Sequence, residues 1–136
     1  MLWKKKEKLK RTNYSSGAKW EDIIGYSRAV KIGNIIEVSG TVAVDNENNV
    51  VAVGDAYKQT EFILNKIKNV LELAGAKMEH VVRTRMYVTD ILKWEDVGRA
   101  HGEFFKGIQP ASTMVEVKSL IHRDVLVEIE ATAVIP

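Results

Sequence analysis

Residues 26–40 read YSRAVKIGNIIEVSG, and this stretch decides the fold. Two runs rich in β-branched residues, 26–32 and 35–44, flank Gly33-Asn34, a pair able to take the positive φ values that a tight two-residue turn demands. The arrangement predicts a β-hairpin. Outward from it, 45–49 is a polar turn, 50–53 has the composition of a short strand, and Asp55 offers a carboxylate to the first N–H groups of a helix. Between 56 and 74, Thr60, Ile63, Ile67, Val70, Leu71 and Ala74 recur at helical spacing, and Gly75 supplies the stop.

The next run, VVRTRMYVTD at 81–90, alternates, with Val82, Thr84, Met86 and Val88 on one side and Val81, Arg83, Arg85 and Tyr87 on the other. The first side is expected to pack beneath helices. Thr89 or Asp90 then caps a second helix reaching Phe105, with Ile91, Trp94, Val97, His101 and Phe104 on one stripe, closed by Gly107 and Pro110. Strands at 111–117 and 125–134 complete the chain. This order predicts an α+β fold of two layers, a mixed β-sheet with both helices on one face. The other face would carry Glu37, Ser39 and Thr41, Arg83 and Arg85, and Glu116, while Glu128 and Glu130 oppose Val127, Ile129 and Ala131 along the last strand. A sheet face that mixes Val and Tyr with Arg and Glu reads as a subunit interface, with ion pairs and clefts between protomers.

A length of 136 residues suits one domain, and 46% apolar with 28% charged residues excludes wholesale disorder. Cysteine is absent, which removes disulfides, thiolate metal sites and a cysteine nucleophile together. No uncharged stretch approaches a membrane-spanning length, and the N-terminus lacks the apolar core of a signal peptide, so a cytoplasmic protein without membrane contacts is expected. The basic residues are unevenly spread: Lys4, Lys5, Lys6, Lys8, Lys10 and Arg11 stand against Glu7 alone, and the rest of the chain is slightly acidic. Residues 1–11 therefore read as a flexible basic tail and 12–136 as the domain, whose body is not expected to bind nucleic acid.

Chemistry-bearing residues are few. His80, His101 and His122 have no ligand-like spacing, and no metal site is expected. A Ser-His-Asp set drawn from Ser39 or Ser112, His101 and Asp90 lacks a nucleophile-elbow pattern, and no phosphate loop is present. Gly98 and Gly102 within the second helix cost about 1 kcal/mol each relative to alanine, which predicts a close approach there, ordinarily by the sheet.

Several strings together carry a resemblance: G-Y-S-x-A-V-x-x-G-N at 25–34, V-S-G at 38–40, A-G-A at 74–76, V-V-R-T with Y-V-T-D at 81–90, E-F-F at 103–105, P-A at 110–111 and V-E-I-E at 127–130. With these, residues 13–136 resemble the Rid family of reactive intermediate imine and enamine deaminases, also called the YjgF family. The resemblance implies a chorismate-mutase-like fold assembled as a homotrimer, its sheets forming a central barrel with clefts between subunits. It implies cofactor-free hydrolysis of a small imine or enamine metabolite to a 2-keto acid and ammonia. Glu128 falls at the family's water-binding glutamate, and Tyr26, Ser39 and Gly40 would line the same cleft.

The departures are as specific as the match. The arginine that grips the substrate carboxylate in deaminating members is Ser112 here, the usual cysteine two positions on is Met114, the helical asparagine is Gly98, and the tyrosine after it is His101. A neutral hydroxyl forfeits a charge-assisted hydrogen bond worth roughly 1.5–3 kcal/mol. Arg85 or Arg83 is the expected source of a compensating charge, against the alternative of an ion pair with Glu116, Glu128 or Glu37. A binding or protective module without catalysis, and an RNA-directed activity, are the rival functions.

Overall fold

The central hairpin forms in the computed structural model, which describes residues 3–136, with Gly33 alone taking the positive φ, at 59°. In chain order the elements are β1 (Arg11–Tyr14), α1 (Lys19–Ile24), β2 (Ala29–Ile32), β3 (Ile35–Val42), α2 (Ala56–Leu73), β4 (Val81–Val88), α3 (Trp94–Phe105), β5 (Ala111–Glu116) and β6 (Val127–Val134). Short 3₁₀ turns at Met78–His80 and Ile91–Lys93 lead into β4 and α3. The strands make one six-stranded sheet, ordered β1-β2-β3-β6-β4-β5. Every pair is antiparallel except β4 with β5, and α3 is the crossover that a parallel pair requires.

Both long helices cover one face. From α2, Ile63, Leu64, Ile67 and Leu71 are fully buried against Ile36 of β3 and Ile129 of β6, and each such side chain contributes about 1.5–3 kcal/mol. The Asp55 carboxylate accepts from Lys58 N at 2.9 Å, capping α2 as the sequence predicts, and Gly75 leaves it at φ 85°. Gln59 is buried within this layer but satisfied: it donates to Asp124 O at 2.8 Å and accepts from Leu126 N at 2.9 Å, tying the loop before β6 to α2. Among the described residues no helix is long and apolar enough to cross a membrane.

Two β-bulges change which residues face which way. Between Val38 and Thr41, β3 spends three steps while β6 spends two, from Ala131 to Ile129. Thr41 is consequently buried on the helix side, not on the open face that strict alternation predicts. The same device between Val81 and Arg83 of β4 buries Val81 and leaves Val82 46% exposed, reversing the expected pair. Residues 50–53 are not a strand, because Ala52 takes φ 51° and only a single bridge, Val44 to Val50, forms there. The α3 stripe runs through Val97, Ala100 and Phe105, and Trp94 stays exposed. β1 and α1 extend the expected order, and Arg11 is already paired, opposite Ile32.

The helix-free face carries Glu128, Glu130 and Thr132 from β6 beside Arg85 and Tyr87 from β4. Apolar side chains interrupt it, and Ile32, Ile35 and Val115 remain 40%, 48% and 42% exposed.

Candidate functional site

Glu128 opens β6 on the helix-free face, directly across from Val42 of β3 and Tyr87 of β4. Its carboxylate lies against Gly40 so closely that a Cβ there would overlap Oε1 and stand 3.1 Å from Cδ. The bulge in β3 is what presents this glycine. Burial pushes the Glu128 carboxyl above the ordinary glutamate range, Arg28 pulls it back, and Glu130 adds to the rise.

Around this contact the chain folds tightly. Arg28 Nη2 donates to Gly40 O at 2.6 Å, Ser39 Oγ donates to Ser27 O at 2.6 Å, and Ser39 N donates to Arg28 O at 3.0 Å. The Tyr26 ring centroid is 5.9 Å from the Arg28 guanidinium carbon. Lys66 of α2 donates to Val44 O at 3.0 Å, and its ammonium is held below the usual lysine range by burial and by Arg28. Ser39, Gly40, Glu128 and, through the Arg28 guanidinium, Tyr26 thus lie in one neighbourhood.

Ser112 and Met114 lie elsewhere. On the edge strand β5, Ser112 pairs with buried Thr84 and Met114 with Met86, which puts both on the helix side of the sheet. Ser112 Oγ is 2.8 Å from Thr84 Oγ1, which is 2.9 Å from His101 Nε2 of α3. The His101 ring packs on Phe105 at 4.6 Å, and burial lowers its pKa, so the chain Ser112–Thr84–His101 is a row of neutral groups at pH 7. Asp90 takes no part, since its carboxylate accepts from Leu92 N. Nothing lies within 4 Å of a Cβ added at Gly98 or Gly102, so the expected close packing is absent and the glycines leave open space on the helix beside His101.

Arg85 belongs to neither group. It lies 3.7 Å from Glu130, a partner outside the three expected, and Tyr87 donates to the same carboxylate oxygen at 3.0 Å. Arg83 donates to Thr113 Oγ1 at 3.0 Å. A concavity of about 750 Å³ lies between the C-terminal ends of α2 and α3, lined by residues including Glu72, Met78 and Phe104, apart from both groups.

A family model described as Endoribonuclease L-PSP matches residues 16–135. The chain belongs to that family. Relatives of this chain include a RutC family protein of Pyrococcus abyssi, 38% identical over 108 residues that cover 79% of this chain and 84% of the relative. A solved Mycobacterium tuberculosis member of the YjgF/YER057c/UK114 family is 44% identical, with a TM-score of 0.84 over 93% of this chain and 100% of that one. A Yersinia pestis structure described as a protein of unknown function of the conserved Rid protein family is 30% identical, with a TM-score of 0.80 over 93% and 100%.

Sequence reasoning left out Arg28 and Thr84. Arg28 stands at a variable place in the G-Y-S-x-A-V string, where nothing in the spacing points to Gly40. Thr84 was legible as the one hydroxyl in an otherwise apolar strand face, but not as the link between Ser112 and His101.

Proposed function

We propose that this Endoribonuclease L-PSP family chain hydrolyses a small imine or enamine metabolite in clefts formed between copies of itself, in a homotrimer. The observation that carries this reading is the half-buried Glu128 carboxylate seated on Gly40. A carboxyl raised by burial is a better proton acceptor than an exposed one, and general-base help of this kind is worth about 10²–10⁴ in rate. In the proposed reaction Glu128 takes a proton from water as the water oxygen bonds to the C=N carbon. The proton passes to nitrogen, giving a carbinolamine; Glu128 then takes the hydroxyl proton and hands it to the same nitrogen as the carbon–oxygen double bond forms and the carbon–nitrogen bond breaks, so that a carbonyl compound and ammonia leave. Polar backbone groups at Gly40 would stabilise the charge that develops on the tetrahedral intermediate, and the Tyr26 ring would pack on the substrate. No cofactor enters this scheme.

The Ser112 group and the Glu128 group face opposite sides of one sheet, so a cleft that uses both needs a second copy. The exposed Ile32, Ile35 and Val115 on the helix-free face support such an assembly. The test is keto-acid release from imines generated in the cuvette, for wild type, Glu128→Ala and Ser112→Arg, with mass by light scattering. Turnover by a trimer that Glu128→Ala abolishes is expected; a stable monomer, or turnover indifferent to Glu128, would overturn the reading. The neutral Ser112–Thr84–His101 row favours a second reading, a metabolite-binding module without catalysis, which ligand binding without product would single out.

A further inference from the structure

A second concavity, of about 330 Å³, lies between α2 and the turn that follows β3. Phe62, Asn65, Lys66 and Asn69 stand at i, i+3, i+4 and i+7 on one face of α2, and Asp45 and Asn46 line it from the turn. Lys66 has no part in the hydrolysis proposed above.

The lysine is half-buried, and its Nζ donates to Val44 O at 3.0 Å and to Val42 O at 3.5 Å, 5.8 Å from the Phe62 ring centroid. Among the described residues no ion pair includes it. Asp45 favours its charge, but Oδ1 of that carboxylate already accepts from Glu47 N at 3.0 Å and Asn49 N at 2.9 Å. Burial and the like charge of Arg28 on the loop before β2 act the other way and prevail.

The hydrogen bonds do not need an ammonium. A neutral amine has two N–H bonds and a lone pair; the two carbonyls take the N–H bonds, and the lone pair is left on an amine that lines the concavity. Desolvation beside a second cation is how a lysine becomes a nucleophile toward carbonyl carbon.

We infer that Lys66 is a covalent capture site for a small neutral aldehyde, which its amine binds as an imine. The Nζ lone pair bonds to the aldehyde carbon as the C=O π pair moves to oxygen, and a proton passes from nitrogen to that oxygen, giving a carbinolamine. With one further proton from solvent the hydroxyl leaves as water, and the nitrogen lone pair forms the C=N bond of a protonated imine. Its single N–H serves Val44 O, while Val42 O keeps its bond from Val44 N at 2.9 Å, so capture leaves neither carbonyl unsatisfied. The amides of Asn46, Asn65 and Asn69 suit the oxygens of a hydroxyaldehyde, Phe62 suits its carbon chain, and Asp45 disfavours an anion.

The test treats the full chain with glycolaldehyde and cyanoborohydride at pH 7, and peptide mass mapping compares Lys66 with exposed Lys68, two residues further along α2. Lys66 should be labelled several-fold faster, and its lead should shrink as pH rises toward about 10, where ordinary lysines also give up their protons. Glyoxylate, which is anionic, should give a smaller lead than glycolaldehyde. Labelling of Lys66 no faster than Lys68, a lead unmoved by pH, or an equal lead with glyoxylate overturns the inference. Every arm uses the wild-type chain, so no variant has to fold. Neither Glu128 nor imine hydrolysis enters the readout, so capture at Lys66 stands or falls apart from the cleft reading.

Discussion

Replacing Gly40 with alanine attacks the contact on which the site is built. The new Cβ would overlap Glu128 Oε1 and stand 3.1 Å from Cδ and 3.4 Å from Cγ, so the carboxylate must swing away. Gly40 is not at a positive φ, so the backbone accepts alanine and the cost is steric alone. Overpacking costs about 1–3 kcal/mol, and the lower end applies because the obstacle is the movable end of a half-buried side chain. In a chain of this size about 1 kcal/mol lowers the melting temperature by a few degrees. Glu128→Ala removes the obstructing atoms, so Gly40→Ala in that background should cost less than about 0.5 kcal/mol. The double-mutant cycle should therefore return a coupling near 1 kcal/mol. Urea unfolding of all four proteins at one concentration measures it, the fixed concentration removing any effect of assembly on stability. Imine hydrolysis by Gly40→Ala should fall about 10²–10⁴-fold, as far as in Glu128→Ala. An equal stability cost in both backgrounds, or a fully active Gly40→Ala, would refute the reasoning.

Burial raises the Glu128 pKa in the folded chain, so its contribution to stability is full below the unfolded value and is lost as pH rises through the folded one. Glu128→Gln should accordingly be more stable than wild type at pH 7, with the gap closing toward pH 4 in parallel unfolding curves. His101 has the opposite sign: its pKa is lowered by burial, so wild type loses stability as pH falls through about 6.5, and His101→Phe should lose less between pH 7 and 5. At pH 7 that variant should lie within about 1 kcal/mol of wild type, because Thr84 keeps its bond to Ser112. If residues 1–8 are a separate basic tail, their removal should leave the melting temperature unchanged and abolish any salt-sensitive RNA binding; binding that survives in filter assays at 200 mM salt would place an RNA surface on the domain.

Much of this architecture was legible because it rests on local pattern. The hairpin at Gly33-Asn34, the Asp55 cap and the α2 stripe follow from turn chemistry and 3.6-residue periodicity, and each forms where expected. β1 escaped because RTNY is no strand by composition; only pairing with β2 makes it one. α1 is six residues with no side-chain cap, too short for periodicity to register. Residues 50–53 misled because valine counts toward a strand wherever it stands, whereas the left-handed Ala52 and Gly54 make the segment a bend.

The site was less legible, and the reason is geometric. Alternation assigns faces only while register holds, and both bulges fall within reach of the residues that matter, one at Ser39-Gly40 and one at the start of β4. The bulge that buries Thr41 also sets Gly40 beneath Glu128, so the position where the pattern fails is the position where the carboxylate is seated. The departures from the deaminase pattern behave as a connected set in the same way. Ser112 and His101 are joined through Thr84, and Gly98 and Gly102 leave open space on the helix beside them, so this side of β5 is neutral and uncrowded at once. A cation on that side would have met a buried imidazole and a hydroxyl already committed to each other. A cation does stand on the opposite side of the sheet, where Arg28 donates to the carbonyl of the residue that Glu128 covers.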